Sequence, residues 1–118
     1  MKRKYIIISI AIIIISIFAY MNLVYPYDWN MAEENFNKYI SKQEVPKNNI
    51  LKISKFKEPI IGGILYRVVY KDNPELEYEY IFSKNYKDDP FNIVLTVYHN
   101  HASVDIEGIT PKYPPIEN

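Results

Sequence analysis

Two histidines form the group in this sequence that most resembles a metal site. His99 and His101 are separated by one residue, and side chains at positions i and i+2 of a strand point to the same side. Both imidazoles would then reach one ion, with Asp105 or Glu107 as a carboxylate ligand. A His-x-His pair without a distant third ligand is a weak signal. Surface histidines are therefore the favoured interpretation, and metal binding or sensing through this pair is the alternative.

A row of glutamates is the second candidate. Glu75, Glu77 and Glu79 alternate with apolar and aromatic residues in the segment PELEYEYIF, so they share one face of a predicted strand. The row is either the solvated face of a hairpin or an interaction surface for a cation or a basic partner. The sequence favours the solvated face, because basic residues on the preceding strand can pair with the row.

The pairing of these two strands can be predicted from parity, because side chains on paired strands share a face only in certain registers. One allowed register sets Arg67 opposite Glu79 and Lys71 opposite Glu75, and it leaves Glu77 without a basic partner. The same register gives an apolar and aromatic second face, whose pairs are Tyr70–Leu76, Val68–Tyr78, Tyr66–Tyr80 and Ile64–Phe82.

The sequence contains no convincing catalytic set. Ser103 and Asp105 lie too close to the histidines along the chain, whereas catalytic groups normally converge from separate elements. Gly62 and Gly63 lack the companions of a phosphate-binding loop and indicate a turn. We therefore predict no catalytic residue, no cofactor and no enzymatic activity.

The elements that position these residues follow an apolar N-terminal run. Lys2, Arg3 and Lys4 precede the segment from Tyr5 to Val24, which holds nine isoleucines and no charge. Twenty helical residues span about 30 Å, the thickness of one hydrocarbon core. The run has no polar face and no well-placed small-x-small cleavage site, so a retained signal-anchor is favoured over a core helix or a cleaved signal peptide.

Charge predicts the orientation of this anchor. Three cations precede the helix and none follows at once, so the positive-inside rule places residues 1–4 in the cytoplasm and the later residues outside. The outer part carries eleven basic and fourteen acidic residues, which argues against nucleic acid as a partner. The chain has no cysteine, which excludes a lipoprotein anchor and disulfides.

The outer part begins with a helix pattern. Asn30 is the predicted N-cap and Glu33 completes a capping box. Val45-Pro46 ends the helix, because the residue before proline avoids the α region. The residues that form its mostly apolar stripe are Ala32, Phe36, Tyr39, Ile40 and Gln43.

From Ile50 onward, apolar residues tend to recur at every second position, as in β-strands. Four strands are predicted, with the sequences ILKISKFK, ILYRVVYK, LEYEYIFS and FNIVLTVYHN. The expected fold is α+β: a transmembrane helix, then one amphipathic helix packed on a three- to four-stranded antiparallel meander. The predicted divisions are a basic terminus (1–4), an anchor (5–24), a linker (25–30) and an extracytoplasmic domain (31–118) with an extended proline-rich tail from about residue 108.

The order of these features resembles a known family. A charged start, one apolar helix, a short amphipathic helix and the strand pair VVYKDNPELEYEY, Val68–Tyr80, are similar to the family called domain of unknown function 3139. The resemblance implies a membrane-attached, extracytoplasmic protein of Bacillus-like Gram-positive bacteria. The family has no assigned activity, so no catalytic residue is carried over.

We therefore expect a single-pass membrane protein that displays a small interaction or accessory module for another envelope protein. Twelve tyrosines are consistent with this expectation, because exposed tyrosine is common at binding surfaces. Two alternatives remain: a metal-binding or metal-sensing envelope protein, and an envelope inhibitor or immunity protein.

Overall fold

The computed structural model describes residues 2–24 and 27–117. Helix α1 runs over Lys2–Ala19 and is followed by a π-helical turn, Tyr20–Val24. Among the described residues, α1 begins the one helical stretch that is long and apolar enough to cross a membrane, and none of its apolar window is buried. Tyr25 and Pro26 of the predicted linker lie outside the described residues.

Helix α2 spans Trp29–Lys42 and starts earlier than predicted. Asp28, not Asn30, is the N-cap, and its Oδ1 accepts a hydrogen bond of 3.0 Å from the Met31 amide. Asp28 serves as well as asparagine because a short carboxylate reaches the free amides of the first turn. The predicted stripe is confirmed, since Ala32, Phe36 and Tyr39 are buried.

The sheet is an antiparallel meander of five strands in the order β1-β2-β3-β4-β5. The strands are β1 (Ile50–Glu58), β2 (Gly63–Tyr70), β3 (Asn73–Phe82), β4 (Ile93–His99) and β5 (Ala102–Ser103). A short helix, α3 (Val104–Glu107), follows. The α+β class is confirmed, with one more strand than predicted. The fourth strand ends early because Asn100 and His101 have positive φ, as a two-residue hairpin turn requires.

The predicted register of β2 and β3 is confirmed over most of its length. Ile64 pairs with Phe82, Tyr66 with Tyr80, Val68 with Tyr78 and Arg67 with Glu79. The predicted register is wrong at the turn, where Tyr70 lies opposite Asn73 rather than Leu76. The reason is a register shift between Val68 and Tyr70. Lys71 and Asp72 form the turn, so the predicted Lys71–Glu75 pair is not part of the ladder.

One face of the sheet, which we call the covered face, packs against α2 and forms the core. Phe36 stacks on Tyr66 with a centroid separation of 4.5 Å and meets Tyr80 edge-on at 5.1 Å. The buried hydrophobic residues of the covered face and its helices include Phe36, Tyr39, Ile64, Tyr66, Val68, Tyr70, Leu76, Tyr78, Tyr80, Phe82, Ile93, Leu95, Val97 and Val104. All lie beyond α1, so the domain from residue 27 has its own core.

The C-terminal segment, predicted as an extended proline-rich tail from about residue 108, has no helix or strand over residues 108–117 and packs against this core. Tyr113 is buried, and its hydroxyl donates to Asp72 Oδ2 at 2.6 Å. The amide of Ile116 donates to the Tyr39 hydroxyl at 3.1 Å. Gln43 donates to the carbonyls of Tyr113 and Pro114, both at 3.0 Å. Tyrosine hydroxyls at the edge of the core therefore bind the backbone of the last segment.

Candidate functional site

The opposite side of the sheet, which we call the open face, carries two contrasting rows of side chains. Each row crosses four strands, and both follow from the strand registers. The apolar row is Phe56, Leu65, Ile81 and Val94, and the polar row is Ser54, Arg67, Glu79 and Thr96. Phe56 is 44% exposed and the other three apolar residues are half-buried. A partner that covered this face would remove a continuous apolar strip from water.

Arg67 is the centre of the open face. Its Nε lies 2.6 Å from Glu77 Oε1, and its Nη2 lies 2.9 Å from Glu79 Oε1. Its guanidinium also lies 5.3 Å from the centroid of the Phe56 ring. The hydrogen bond to Glu79 is the largest of the effects that raise the pKa of Arg67 above its usual value. One arginine therefore holds two carboxylates and an aromatic ring in a fixed arrangement.

This arrangement corrects the prediction for Glu77. The sequence left Glu77 without a basic partner, whereas the structure pairs it with Arg67. Glu77 lies opposite Tyr98 of β4, one row away from Arg67, and the long guanidinium side chain reaches diagonally across the strands. Glu75 is exposed and lies next to the irregular turn, where its Oε1 accepts a 2.8 Å hydrogen bond from Asn73.

Two shallow depressions of about 380 and 410 Å³ meet beside Arg67 and Glu77. Tyr98 and His101 line the first, and Lys52, Phe56 and Val69 are among the residues that line the second. Two aromatic side chains, two cations and two carboxylates are thus presented on one surface. Such a mixture of charge and aromatic area is typical of protein-binding surfaces.

The structure gives the two histidines different neighbours. His99 Nδ1 lies 2.8 Å from Glu107 Oε2 of α3, whereas His101 lines the open face beside Arg67 and Glu77. The prediction of a shared side assumed a continuous strand, and the turn at Asn100 and His101 removes that basis. Within residues 2–24 and 27–117, no group of three or more His, Cys, Asp or Glu is placed to hold a metal ion. The metal hypothesis stays a prediction, which a zinc titration of the purified protein tests.

The predicted aromatic face of β2 and β3 is confirmed as buried, so most tyrosines of the domain are not exposed for binding. Within residues 27–117, six tyrosines are buried: Tyr39, Tyr66, Tyr70, Tyr78, Tyr80 and Tyr113. The Tyr70 and Tyr80 hydroxyls lie 2.6 Å apart, and Tyr80 donates to Gln43 Oε1 at 2.9 Å. Burial raises the pKa of both tyrosines, because the ionised form is poorly solvated there. These residues build the core and the attachment of the C-terminal segment, not the open face.

A comparison with protein families decides where the chain belongs. The model of the family described as "Protein of unknown function (DUF3139)" matches residues 2–80. The chain belongs to this family. No curated protein and no solved structure matches the chain.

The DUF3139 match covers α1, α2, β1, β2 and most of β3, and it therefore includes Arg67, Glu77 and Glu79. Tyr98, His101 and Tyr113 lie beyond the matched residues. The apolar row of the open face is a feature that sequence reasoning missed. The signal was present, because the segments ILYRVVY and IVLTVY are apolar at both parities, which indicates strands with two apolar faces.

Proposed function

We propose that this member of the DUF3139 family is a single-pass membrane protein that holds a small binding domain just outside the cytoplasm. On this proposal the open face binds another extracytoplasmic protein domain, and the protein acts by binding and not by catalysis. The observation that carries the proposal is the apolar row of Phe56, Leu65, Ile81 and Val94 beside the Arg67 cluster. A binding surface needs both apolar area and fixed polar groups, and this face has both.

The position of the domain relative to the apolar helix supports a membrane-proximal location. Only three residues lie between Val24 and Asp28, so their Cα atoms are at most about 14 Å apart even in an extended chain. Several contacts gather at the end of the sheet where the chain enters. Lys57 Nζ lies 4.9 Å from the Tyr27 ring, and Lys84 Nζ lies 3.7 Å from Asp28 Oδ2.

The same end of the sheet presents an apolar tip. Ile60, in the turn between β1 and β2, is 92% exposed, and Trp29 at the start of α2 is 40% exposed. The neighbouring Ile61 carbonyl accepts a 3.2 Å hydrogen bond from Asn85, which follows Lys84. Tryptophan and isoleucine beside lysines are suited to the membrane–water interface. We infer that this end of the domain faces the membrane.

Thiol labelling of protoplasts tests the topology. The native chain has no cysteine, so a single introduced cysteine is the one site in the protein that a maleimide labels. A membrane-impermeant maleimide should label a Lys47→Cys variant in intact cells. A matched Lys2→Cys variant should be labelled only after the membrane is opened. The reverse pattern would show that the domain lies in the cytoplasm, and label on a shorter chain in the medium would show that α1 is cleaved.

A photo-crosslinking residue tests the binding surface in the same cells. Placed at Thr96 on the open face, it should give a discrete crosslinked product that is absent when the residue is placed at Asn37 on the outer side of α2. Equal products from both positions, or none from Thr96, would contradict an open-face binding site.

A further inference from the structure

We infer that the partner of the open face is a second copy of this chain in the same membrane. The inference rests on the proposed function and names the occupant of the proposed surface. It follows from the way charge and apolar area are distributed about one axis of the sheet. That axis runs parallel to the strands, between β2 and β3.

Charge is divided about this axis. The side formed by β1 and β2 carries Lys52 and Arg67, and the side formed by β3 and β4 carries Glu77 and Glu79. Glu58, at the end of β1 on the same face, accepts a 2.9 Å hydrogen bond from the Ile61 amide of its own turn. A two-fold rotation about the axis places β2 of one copy over β3 of the other. Arg67, which contacts Glu77 and Glu79 of its own copy, then also lies opposite Glu79 of the second copy, and the same contact is repeated by symmetry. The open face is therefore complementary to itself.

The apolar row is also matched by this rotation. Because the axis is parallel to the strands, each cross-strand row meets the same row of the second copy. Leu65 lies opposite Ile81 of the second copy, and Phe56 lies opposite its Val94. Two sheets packed face to face in nearly aligned directions interdigitate their side chains in this way.

The requirement that both anchors enter one membrane favours the same axis. The chain enters the domain at one end of the strands, beside Lys57 and Lys84, as the contacts of Tyr27 and Asp28 show. Rotation about an axis parallel to the strands leaves this end on the same side in both copies. Both anchors then enter one membrane. Rotation about an axis perpendicular to the strands would send them in opposite directions.

The size of the surface predicts how tight the dimer is. The five strands are spaced by about 4.8 Å and average about seven residues in length. The open face is therefore a patch on the order of 500 Å² per copy. This is below the roughly 800 Å² per partner of a standard stable interface. Two anchors in one membrane raise the effective concentration. We therefore expect a dimer of the full chain in the membrane and dissociation of a soluble domain on dilution.

Single cysteines in the full chain test the dimer, with a short bifunctional maleimide applied to membranes. Ile81→Cys, beside the axis, should give a product of twice the chain mass. Ile106→Cys is the matched control, because Ile106 is 83% exposed on α3 and lies outside the open face. The control should give at least about tenfold less of the crosslinked dimer. A difference of that size shows that the Ile81 positions are held close together and do not meet only by random collision. Equal yields, or no dimer from Ile81→Cys, would overturn the inference.

Charge complementation tests the axis. Arg67→Glu and Glu79→Arg should each lower the crosslinked fraction of Ile81→Cys chains about tenfold or more, because like charges then meet across the interface. Co-expression of the two variants with different tags should restore a mixed dimer, since their charges are complementary. Circular dichroism of each variant checks its fold. The proposed axis would be overturned if mixed dimers were no more frequent than the homodimers that each variant forms alone.

The outcome also separates this inference from the proposed function. A crosslinked product from Ile81→Cys of a mass other than two chains would overturn the dimer and leave the open face as a binding site for a different protein. If a charge variant fails to fold, the Ile81→Cys and Ile106→Cys chains, which keep the native charges, still test the dimer.

Discussion

The two faces of one sheet both carry aromatic and apolar side chains and yet differ in solvent exposure. On the covered face, Phe36, Tyr66 and Tyr80 are almost fully buried and contact one another as rings. On the open face, Phe56 and Arg67 are also in contact but remain substantially solvent-exposed. Aromatic content therefore does not distinguish the covered face from the open face. The difference lies in what covers each ring: a helix and the C-terminal segment on one side, water and a proposed partner on the other.

Alkaline pH should have the largest effect, and it should act through the covered face. Burial raises the pKa of Tyr66 to about 12, and it also raises the pKa values of Tyr39, Tyr70 and Tyr80. An unfolded tyrosine has a pKa of about 10, so its ionisation favours the unfolded chain. The stabilisation is complete below about pH 10 and is lost as the pH rises toward 12.

We expect tyrosinate absorbance and loss of the β-sheet circular dichroism signal to rise together in one cooperative transition of the domain. A Tyr66→Phe variant should remain folded to higher pH, because it lacks one of the ionising hydroxyls. Independent ionisation of the buried tyrosines near pH 10 with the fold intact would show that the covered face is open to water.

Truncation of one phenylalanine on each face gives the next largest effect. Phe36→Ala should lower the free energy of unfolding by about 3–5 kcal/mol, because Phe36 is only 4% exposed and leaves a cavity between Tyr66 and Tyr80. Phe56→Ala should cost about 1 kcal/mol, since half of that ring is already in water. Urea unfolding of the purified domain measures both. Equal costs would contradict the distinction between the faces.

Neutralising the carboxylates of the open face should have the smallest effect on stability. Glu79→Gln should cost about 1 kcal/mol or less, and Glu77→Gln about half of that, because Arg67 retains the other carboxylate in each variant. The larger cost falls on Glu79, whose side chain is 15% exposed compared with 37% for Glu77. Thermal unfolding at low and high salt checks the order. A loss above 2 kcal/mol from either variant would show that the cluster belongs to the fold and not to a binding surface.

Local patterns were sufficient to predict the helix stripe and most of the strand register. Ala32, Phe36 and Tyr39 recur at helical spacing, and the alternation around Tyr78 and Tyr80 fixes which side chains share a face. Those signals come from neighbours along the chain, so no tertiary knowledge was needed. The open-face pair of Arg67 and Glu79 follows from the same parity.

The remaining features depend on contacts that a local pattern does not encode. The shift near Tyr70 changes the partner of every residue at the turn, and it was not visible in the alternation. Tyr113 looked like part of a proline-rich tail because its partner, Asp72, lies 41 residues earlier. The reach of Arg67 to Glu77 depends on a side-chain conformation. Each case requires two distant segments to be placed together first.

The attachment of the C-terminal segment has a consequence for the order of folding. The strands pair in chain order, so most contacts of the sheet are local and are expected to form quickly. The contacts of Gln43 with Tyr113 and of Tyr39 with Ile116 bridge 70 and 77 residues. During synthesis, the residues of α2 and of the hairpins are made before Tyr113 and Ile116, which close the core. Changes at Tyr113 should therefore speed unfolding while leaving the folding rate almost unchanged, as expected for contacts made after the rate-limiting step.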